Sequence, residues 1–226
     1  MWVIAHRGGG ALFPENTLTA FTQSEALGVD MVECDVHLSR DGELMVIHDA
    51  TLSRTGNTPV RISELTAQEA AAIDVGGGEG VPMLTTLLDC IAIPVVIEIK
   101  TETAVYALAS LLQRRPELIA RVVPISFYHR AVLALADQFA DLQVGVLLAG
   151  VPVHLGQVAR DAHARIVSLE YEMVNADLVE ALHAENLLVT VWTPNTREEI
   201  HNLVAAGVDG IASDRPDWVL EAVGRR

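Results

Sequence analysis

The sequence is poor in the residues that staple small secreted folds and in those that grip polyanions. Only two of its 226 residues are cysteine, and neither Cys34 nor Cys90 lies in a CxxC or Cys/His cluster. A disulfide framework and a structural zinc site are therefore excluded, and a reducing compartment fits best. Basic residues number 15 against 30 acidic ones, a formal charge of −15. A chain of that sign repels nucleic acid and anionic lipid, so neither a nucleic acid nor a membrane is expected as a partner. No basic segment precedes the short apolar run Trp2 to Ala5, which His6 and Arg7 cut, so a secretory signal is not expected. The longest stretch free of Asp, Glu, Lys and Arg, residues 142–159, is broken by Gly145, Gly150, Pro152, His154 and Gly156. It reads as a buried strand, a loop and the start of a helix rather than a membrane span. The expected location is cytoplasmic.

What is present is apolar. Half of the residues are hydrophobic and 20% are charged, enough for one sizeable core, so residues 1–226 are expected to form a single domain. Short apolar runs, many rich in Val and Ile, alternate with longer amphipathic segments, the pattern of βα units around a parallel sheet. Strands are expected at 2–6, 31–38, 95–100, 122–127, 144–148, 166–171, 188–192 and 210–213. Eight such runs are what a closed (β/α)8 TIM barrel, an α/β fold, requires. Helices are expected at 17–27, 103–114, 130–140, 176–185 and 196–206. Asn16-Thr17 and Asn195-Thr196 resemble N-caps, and Gly28 and Gly207 resemble stop signals at helix ends. One part breaks the alternation: Arg40-Asp41-Gly42, the apolar run Leu44 to Ile47 and a polar stretch read as a hairpin and a small insertion after the second barrel strand, residues 40–87. Insertions after barrel strands lie on the catalytic face.

Polar residues collect where the apolar runs stop, which is where a barrel keeps its active site. His6 and Arg7 end the first strand, Glu33 and Asp35 lie in the second, Glu98 and Lys100 end the third, and His48-Asp49 ends the extra run. Strand side chains alternate faces, so Glu33 and Asp35 point one way together, as do Glu98 and Lys100. Three converging carboxylates raise one another's pKa unless a cation compensates them, and hard oxygen donors favour Mg2+ or Ca2+. Glu33, Asp35 and Glu98 are the candidate metal ligands; the competing reading makes Glu98–Lys100 and Asp35–Arg40 ordinary surface ion pairs. His6 and His48 form a candidate general acid/base pair. Arg7 and Lys100 are suited to a phosphodiester anion. His37, in phase with Glu33 and Asp35 but close to the turn, is given a loop or supporting role. Asp209 and Asp214 are placed as helix caps or supports of the site, and Cys34 against a helix.

These residues resemble a known family as a set. Ala5-His6-Arg7-Gly8-Gly9, Pro14-Glu15-Asn16-Thr17, Val32-Glu33-Cys34-Asp35-Val36, Val46-Ile47-His48-Asp49, Ile97-Glu98-Ile99-Lys100, Ser126-Phe127, Val191-Trp192-Thr193 and the closing Gly207 to Pro216 segment are similar to the glycerophosphodiester phosphodiesterases, in that family's order. The resemblance, closest to compact cytosolic bacterial members, implies a TIM barrel that hydrolyses glycerophosphocholine, glycerophosphoethanolamine and similar small diesters to glycerol 3-phosphate and an alcohol. It implies one divalent cation on Glu33, Asp35 and Glu98, catalysis by His6 and His48, and phosphate contacts from Arg7 and Lys100. It also implies an apolar pocket wall from Phe127 and Trp192. A monomer or a homodimer is expected. Two rivals remain, a phosphoinositide phospholipase C-like enzyme and a catalytically silent barrel. The net charge opposes the first, and the complete set of histidines and carboxylates opposes the second.

Overall fold

A computed structural model describes residues 1–226. In chain order the elements are β1 (Trp2–Ala5), α1 (Leu18–Leu27), β2 (Met31–Leu38), β3 (Leu44–Val46), α2 (Ala67–Ala71), β4 (Asp74–Gly76), β5 (Glu79–Gly80), α3 (Leu84–Cys90), β6 (Val95–Ile99) and α4 (Ala104–Arg114). They continue as β7 (Val122–Ser126), α5 (His129–Gln138), β8 (Gly145–Leu148), α6 (Leu155–Asp161), β9 (Ile166–Glu170), α7 (Ala176–Ala184), β10 (Leu188–Trp192), α8 (Arg197–Ala206), β11 (Gly210–Ser213) and α9 (Pro216–Ala222). Parallel pairing runs β1-β11-β10-β9-β8-β7-β6-β2, and β1 also pairs with β2, so eight strands close into a barrel as their number led us to expect. The strands expected at 31–38, 188–192 and 210–213 have those bounds; the others end one residue earlier or begin one later.

The barrel strands are buried on both faces, and the two faces do different work. Residues such as Val3, Val32, Cys34, Ile97, Val146, Val167, Val189 and Ile211 point outward into one continuous core shared with the helices. The alternate set, Ile4, Val96, Val123, Ile125, Leu147, Ile166 and Ala212, fills the lumen. Helix α4 explains how the outer layer is met: Val105, Leu108, Ala109 and Leu112 recur at helical spacing and are buried, while Tyr106 is exposed. The helix ends follow local chemistry. Thr17 and Thr196 accept backbone N–H bonds at the starts of α1 and α8, and Gly28 and Gly207 end them in the left-handed conformation.

The segment between β2 and α3 departs from the alternation. β3 pairs antiparallel with β2, Val36 opposite Val46 and Leu38 opposite Leu44, which makes the hairpin that Asp41-Gly42 suggested. From β3 onward, Met45, Ile47, Leu52, Ile62, Ala70, Val75 and Val81 bury one another in a small separate core. Gly76 to Gly78, a flexible tract by composition alone, joins β4 to β5 in a hairpin. The first barrel-type helix after this segment begins at Leu84, whose side chain belongs to the main core. The polar extension therefore gives way to the barrel three residues before residue 87.

Candidate active site

At the C-terminal ends of the strands the lumen opens into a cavity of about 180 Å³. Its walls differ. His6, Arg7, Glu33, His48, Glu98 and Lys100 line the side built by β1, β2, β6 and the insertion, while Val123, Ile125, Phe127, Leu147, Ile166 and Trp192 line the other. Phe127 and Trp192 meet edge to face, ring centres 5.7 Å apart and planes at 89°.

The acidic cluster arises from register. Asp35 pairs with Glu98 across β2 and β6, and Glu33 is in phase with Asp35, so one carboxylate oxygen of each of the three residues comes within 4.8 Å of the others. Glu33 and Asp35 are buried, Asp35 completely. Burial, and then the Asp35 charge, push Glu33 up to about 8. Burial also opposes the charge of Asp35, but Lys100 and then Arg7 outweigh it and hold that carboxylate at about 2. Burial moves Glu98 in the same direction as Glu33. Lys100 Nζ lies 2.7 Å from Glu98 Oε1 and 3.0 Å from Asp35 Oδ1, and Arg7 Nε lies 3.4 Å from Asp35 Oδ2. The ion-pair reading of the sequence is thus half present, Glu98 with Lys100, but within a buried site. Arg40 instead bonds Glu69 and the Glu64 carbonyl, away from Asp35.

Backbone shape aims these groups. Arg7 has φ +50°, a left-handed value that is uncommon outside glycine, and its backbone N–H donates to Glu33 Oε2 at 2.9 Å. The next residue is Gly8, φ +77°, where a Cβ would stand 2.8 Å from the Ala20 Cβ, so only glycine lets the chain pass α1 so closely. Asn16, φ +57° and buried, donates its side-chain amide to Asp35 Oδ2 at 2.9 Å.

Each histidine carries its own carboxylate. His6 Nδ1 donates to Asp214 Oδ1 at 2.7 Å, and its Nε2 faces Glu33 Oε2 at 3.9 Å. Asp214 is held in turn by Asn195, whose amide donates to Oδ2 at 2.7 Å. Burial depresses the His6 pKa, but the Asp214 bond and the Glu33 charge more than offset it, so His6 lies above its ordinary value. His48 Nδ1 donates to Asp49 Oδ1 at 2.6 Å, Arg54 Nε donates to Asp49 Oδ2 at 2.8 Å, and Arg54 also grips Glu15, which bonds Arg7. His37 Nε2 donates to the His48 carbonyl at 3.0 Å, the supporting role foreseen for it.

A sequence profile of the glycerophosphoryl diester phosphodiesterase family matches residues 6–218. The chain belongs to that family. It is a phosphoric diester hydrolase. A glycerophosphodiester phosphodiesterase of Caldanaerobacter subterraneus subsp. tengcongensis is 32% identical, over 98% of this chain and 97% of its own. One from Bacillus altitudinis is 29% identical over 97% and 96%. Among solved structures, that of a glycerophosphoryl diester phosphodiesterase homologue from Silicibacter pomeroyi has a TM-score of 0.89 at 27% identity, covering 97% of this chain and 92% of its own. A phosphodiesterase from Oleispira antarctica, solved with the product sn-glycerol-3-phosphate, shares the fold with a TM-score of 0.90 at 23% identity, covering 97% and 95%.

All nine residues singled out in the sequence meet at this one cavity or directly behind it. Asp35 is the one behind, screened by Arg7 and Lys100 and absent from the cavity wall. Arg54 is not singled out in the sequence, Glu15 and Asp49 stand there only inside motifs, and Asn16 and Asn195 only as cap candidates. The two asparagines had a legible signal: each precedes a threonine that already caps its helix, so each is one cap-type residue too many. For Glu15 and Arg54 the sequence offers no signal, because their contact spans 39 positions.

Proposed function

We propose that the chain hydrolyses glycerophosphodiesters, glycerophosphocholine and glycerophosphoethanolamine among them, to sn-glycerol 3-phosphate and the head-group alcohol, with one divalent cation bound and His6 and His48 as the acid/base pair. One observation carries this reading: two histidines, each oriented by its own carboxylate, share a single cavity with Glu33, Glu98 and two cations, with Asp35 directly behind its wall. Membership of the family supplies the reaction class.

The residues present fit a hard cation. The donor set is oxygen only, one oxygen of each of the three carboxylates lies within 4.8 Å of the others, and Glu33 is driven toward its neutral form by its buried surroundings. Glu33, Asp35 and Glu98 would hold Mg2+ or Ca2+, which when bound neutralises charge on the diester.

The remaining work falls to the side chains. Arg7 offers a planar fork and Lys100 a point charge for the phosphate oxygens. His6, with Nδ1–H committed to Asp214, keeps Nε2 free to take the proton of the attacking hydroxyl, from water or from the glycerol 2-hydroxyl. His48, with Nδ1 committed to Asp49, donates from Nε2 to the departing alcohol, and the two exchange roles if a cyclic phosphate is then opened by water. Phe127 and Trp192 cover the apolar side of the substrate and exclude water there.

Choline release from glycerophosphocholine, followed with Mg2+ or Ca2+ and repeated with EDTA, tests the proposal. Turnover that EDTA abolishes is expected. Absence of turnover with every divalent ion and diester tried overturns it and leaves the silent barrel.

A further inference from the structure

Seven serine and threonine side chains are buried. Five of them donate their hydroxyl within the chain: Thr17 to the Pro14 carbonyl and Ser24 to that of Gly8, both at 2.8 Å, Ser39 to the Asp41 carboxylate at 2.6 Å, and Ser126 and Ser213 to the Ile99 and Pro194 carbonyls at 2.7 Å. Ser168 and Thr190 are the exceptions. They are 5% and 6% exposed, they line the cavity, and neither hydroxyl has a hydrogen-bond partner in the chain. The one side-chain bond to Ser168, from Trp192 Nε1, goes to its backbone carbonyl. A buried hydroxyl without a partner costs stability, and alanine and valine would fill these positions without that cost. The fold therefore does not account for the pair, and a ligand does.

The two residues are register partners on β9 and β10, so they stand side by side in the lumen. β9 is four strands from β2 in either direction round the barrel, which sets the pair across the lumen from Glu33 and Asp35. The interior of an eight-stranded barrel holds one small ligand, so a molecule on the carboxylate wall reaches both sides. The surroundings define the group that fits. Ile125, Leu147, Ile166 and Ala212 are the apolar neighbours, and the charged residues of the cavity all belong to the opposite wall. An ammonium or a carboxylate is unanswered there, whereas a hydroxyl, which donates and accepts, satisfies the pair. Thr193 and Gln143, the other uncharged polar residues of the cavity, lie half-buried and exposed at its two ends, after β10 and before β8.

We propose that Ser168 and Thr190 bind the primary hydroxyl at the far end of the substrate's glycerol half, and so select esters of glycerol over esters of shorter diols; this deepens the proposed function and rests on that reading. With the phosphate on Arg7 and Lys100 and the 2-hydroxyl toward His6, the carbon farthest from phosphorus is the one left to cross the lumen. The head group then leaves toward the mouth, past His48. Of the two halves of the diester, only the neutral, hydroxylated one suits the wall that holds the pair.

Choline release is compared for glycerophosphocholine and for 2-hydroxyethyl phosphocholine, which keeps the hydroxyl next to the ester and lacks only the terminal CH2OH group. The parent chain is expected to prefer glycerophosphocholine by about tenfold or more in kcat/KM, because the analogue leaves the pair unanswered. The double variant S168A/T190V is expected to bring that ratio near one, while Thr190→Ser, which keeps the hydroxyl, retains it. Calorimetry in the presence of Ca2+ supplies a readout independent of turnover: sn-glycerol 3-phosphate should bind the parent about tenfold more tightly than 2-hydroxyethyl phosphate, and the double variant should not distinguish them. Without ligand, the double variant should melt at or above the temperature of the parent, since its lost hydroxyls have no partner. A preference that is absent from the parent or survives in the double variant overturns the proposal, as does a melting temperature several degrees lower, which assigns the pair to the fold. If neither diester is hydrolysed, the hydrolytic reading fails, while the two phosphates still decide the role of the pair.

Discussion

The two histidines reach the same cavity by different architecture. His6 ends β1 and is held by Asp214, 208 positions away at the end of β11, with Asn195 behind it. That arm exists only because the barrel closes. His48 is carried by the insertion, held by the residue that follows it, and tied back to the barrel through Arg54 and Glu15. Side-chain exposure is 14% for His6 and 32% for His48, with Arg54 at 46%. The barrel arm is thus the more buried of the two at its histidine, so losing Asp214 leaves a largely desolvated imidazole unpaired, while the insertion arm is a more exposed chain of ion pairs that water and salt can replace. In the proposed reaction, that difference would make His6 the more rigid group beside the carboxylates and His48 the more accommodating one.

The comparison breaks first if the histidines themselves are unequal. His6→Ala and His48→Ala are each expected to lower kcat on glycerophosphocholine by about 10²-fold or more, the value of a positioned acid or base; a loss below tenfold in either removes that residue from the reaction. Their carboxylates are expected to differ. Asp214→Asn should cost roughly 10²-fold in kcat and Asp49→Asn roughly tenfold, because only the first leaves a buried imidazole unsupported. The Asp214 bond raises the His6 pKa against the effect of burial, and a base works in its neutral form. Removing that bond lowers the pKa, so the acid limb of the kcat/KM profile should move to lower pH in Asp214→Asn. A limb that stays in place or moves upward contradicts His6 as the base.

Metal affinity probes the barrel side alone. Glu33, driven to about 8 by burial and by Asp35, is protonated below that pH and must lose its proton to serve as a ligand. Binding of Mg2+ should therefore weaken as pH falls below about 8, approaching tenfold per unit, and calorimetry in buffers of different ionisation enthalpy should register proton release. Affinity that is flat between pH 6 and 8 contradicts Glu33 as a ligand. The smallest effect belongs to the insertion arm: Arg54→Gln is expected to lower kcat/KM by only about threefold, and high salt should reproduce much of that loss in the parent chain. An Arg54→Gln effect as large as that of Asp214→Asn would show the two arms to be equally rigid.

Much of this was legible before any coordinates. Eight apolar runs with intervening amphipathic segments implied the barrel, and alternation along β2 and β6 brought Glu33, Asp35 and Glu98 together, because side-chain direction in a strand follows from parity. Asp214 was readable only as a support of undefined kind. Asn16 and Asn195 read as caps because cap chemistry and carboxylate support use the same side chain, and only the neighbouring threonines show which residue does which. The ends of the insertion were blurred because α3 begins in an apolar stretch that reads equally well as the edge of the small separate core.

Composition and periodicity by themselves determined the fold class, the eight strands, the inward-facing carboxylates and the net negative charge, since these follow from local geometry and summed charge. Tertiary structure alone decided which cation answers which carboxylate, that Asp214 crosses the barrel seam to His6, and that Arg54 links the insertion to Glu15. These are contacts between segments far apart in sequence. Barrel closure creates them, and no periodicity along the chain encodes which distant loops become neighbours.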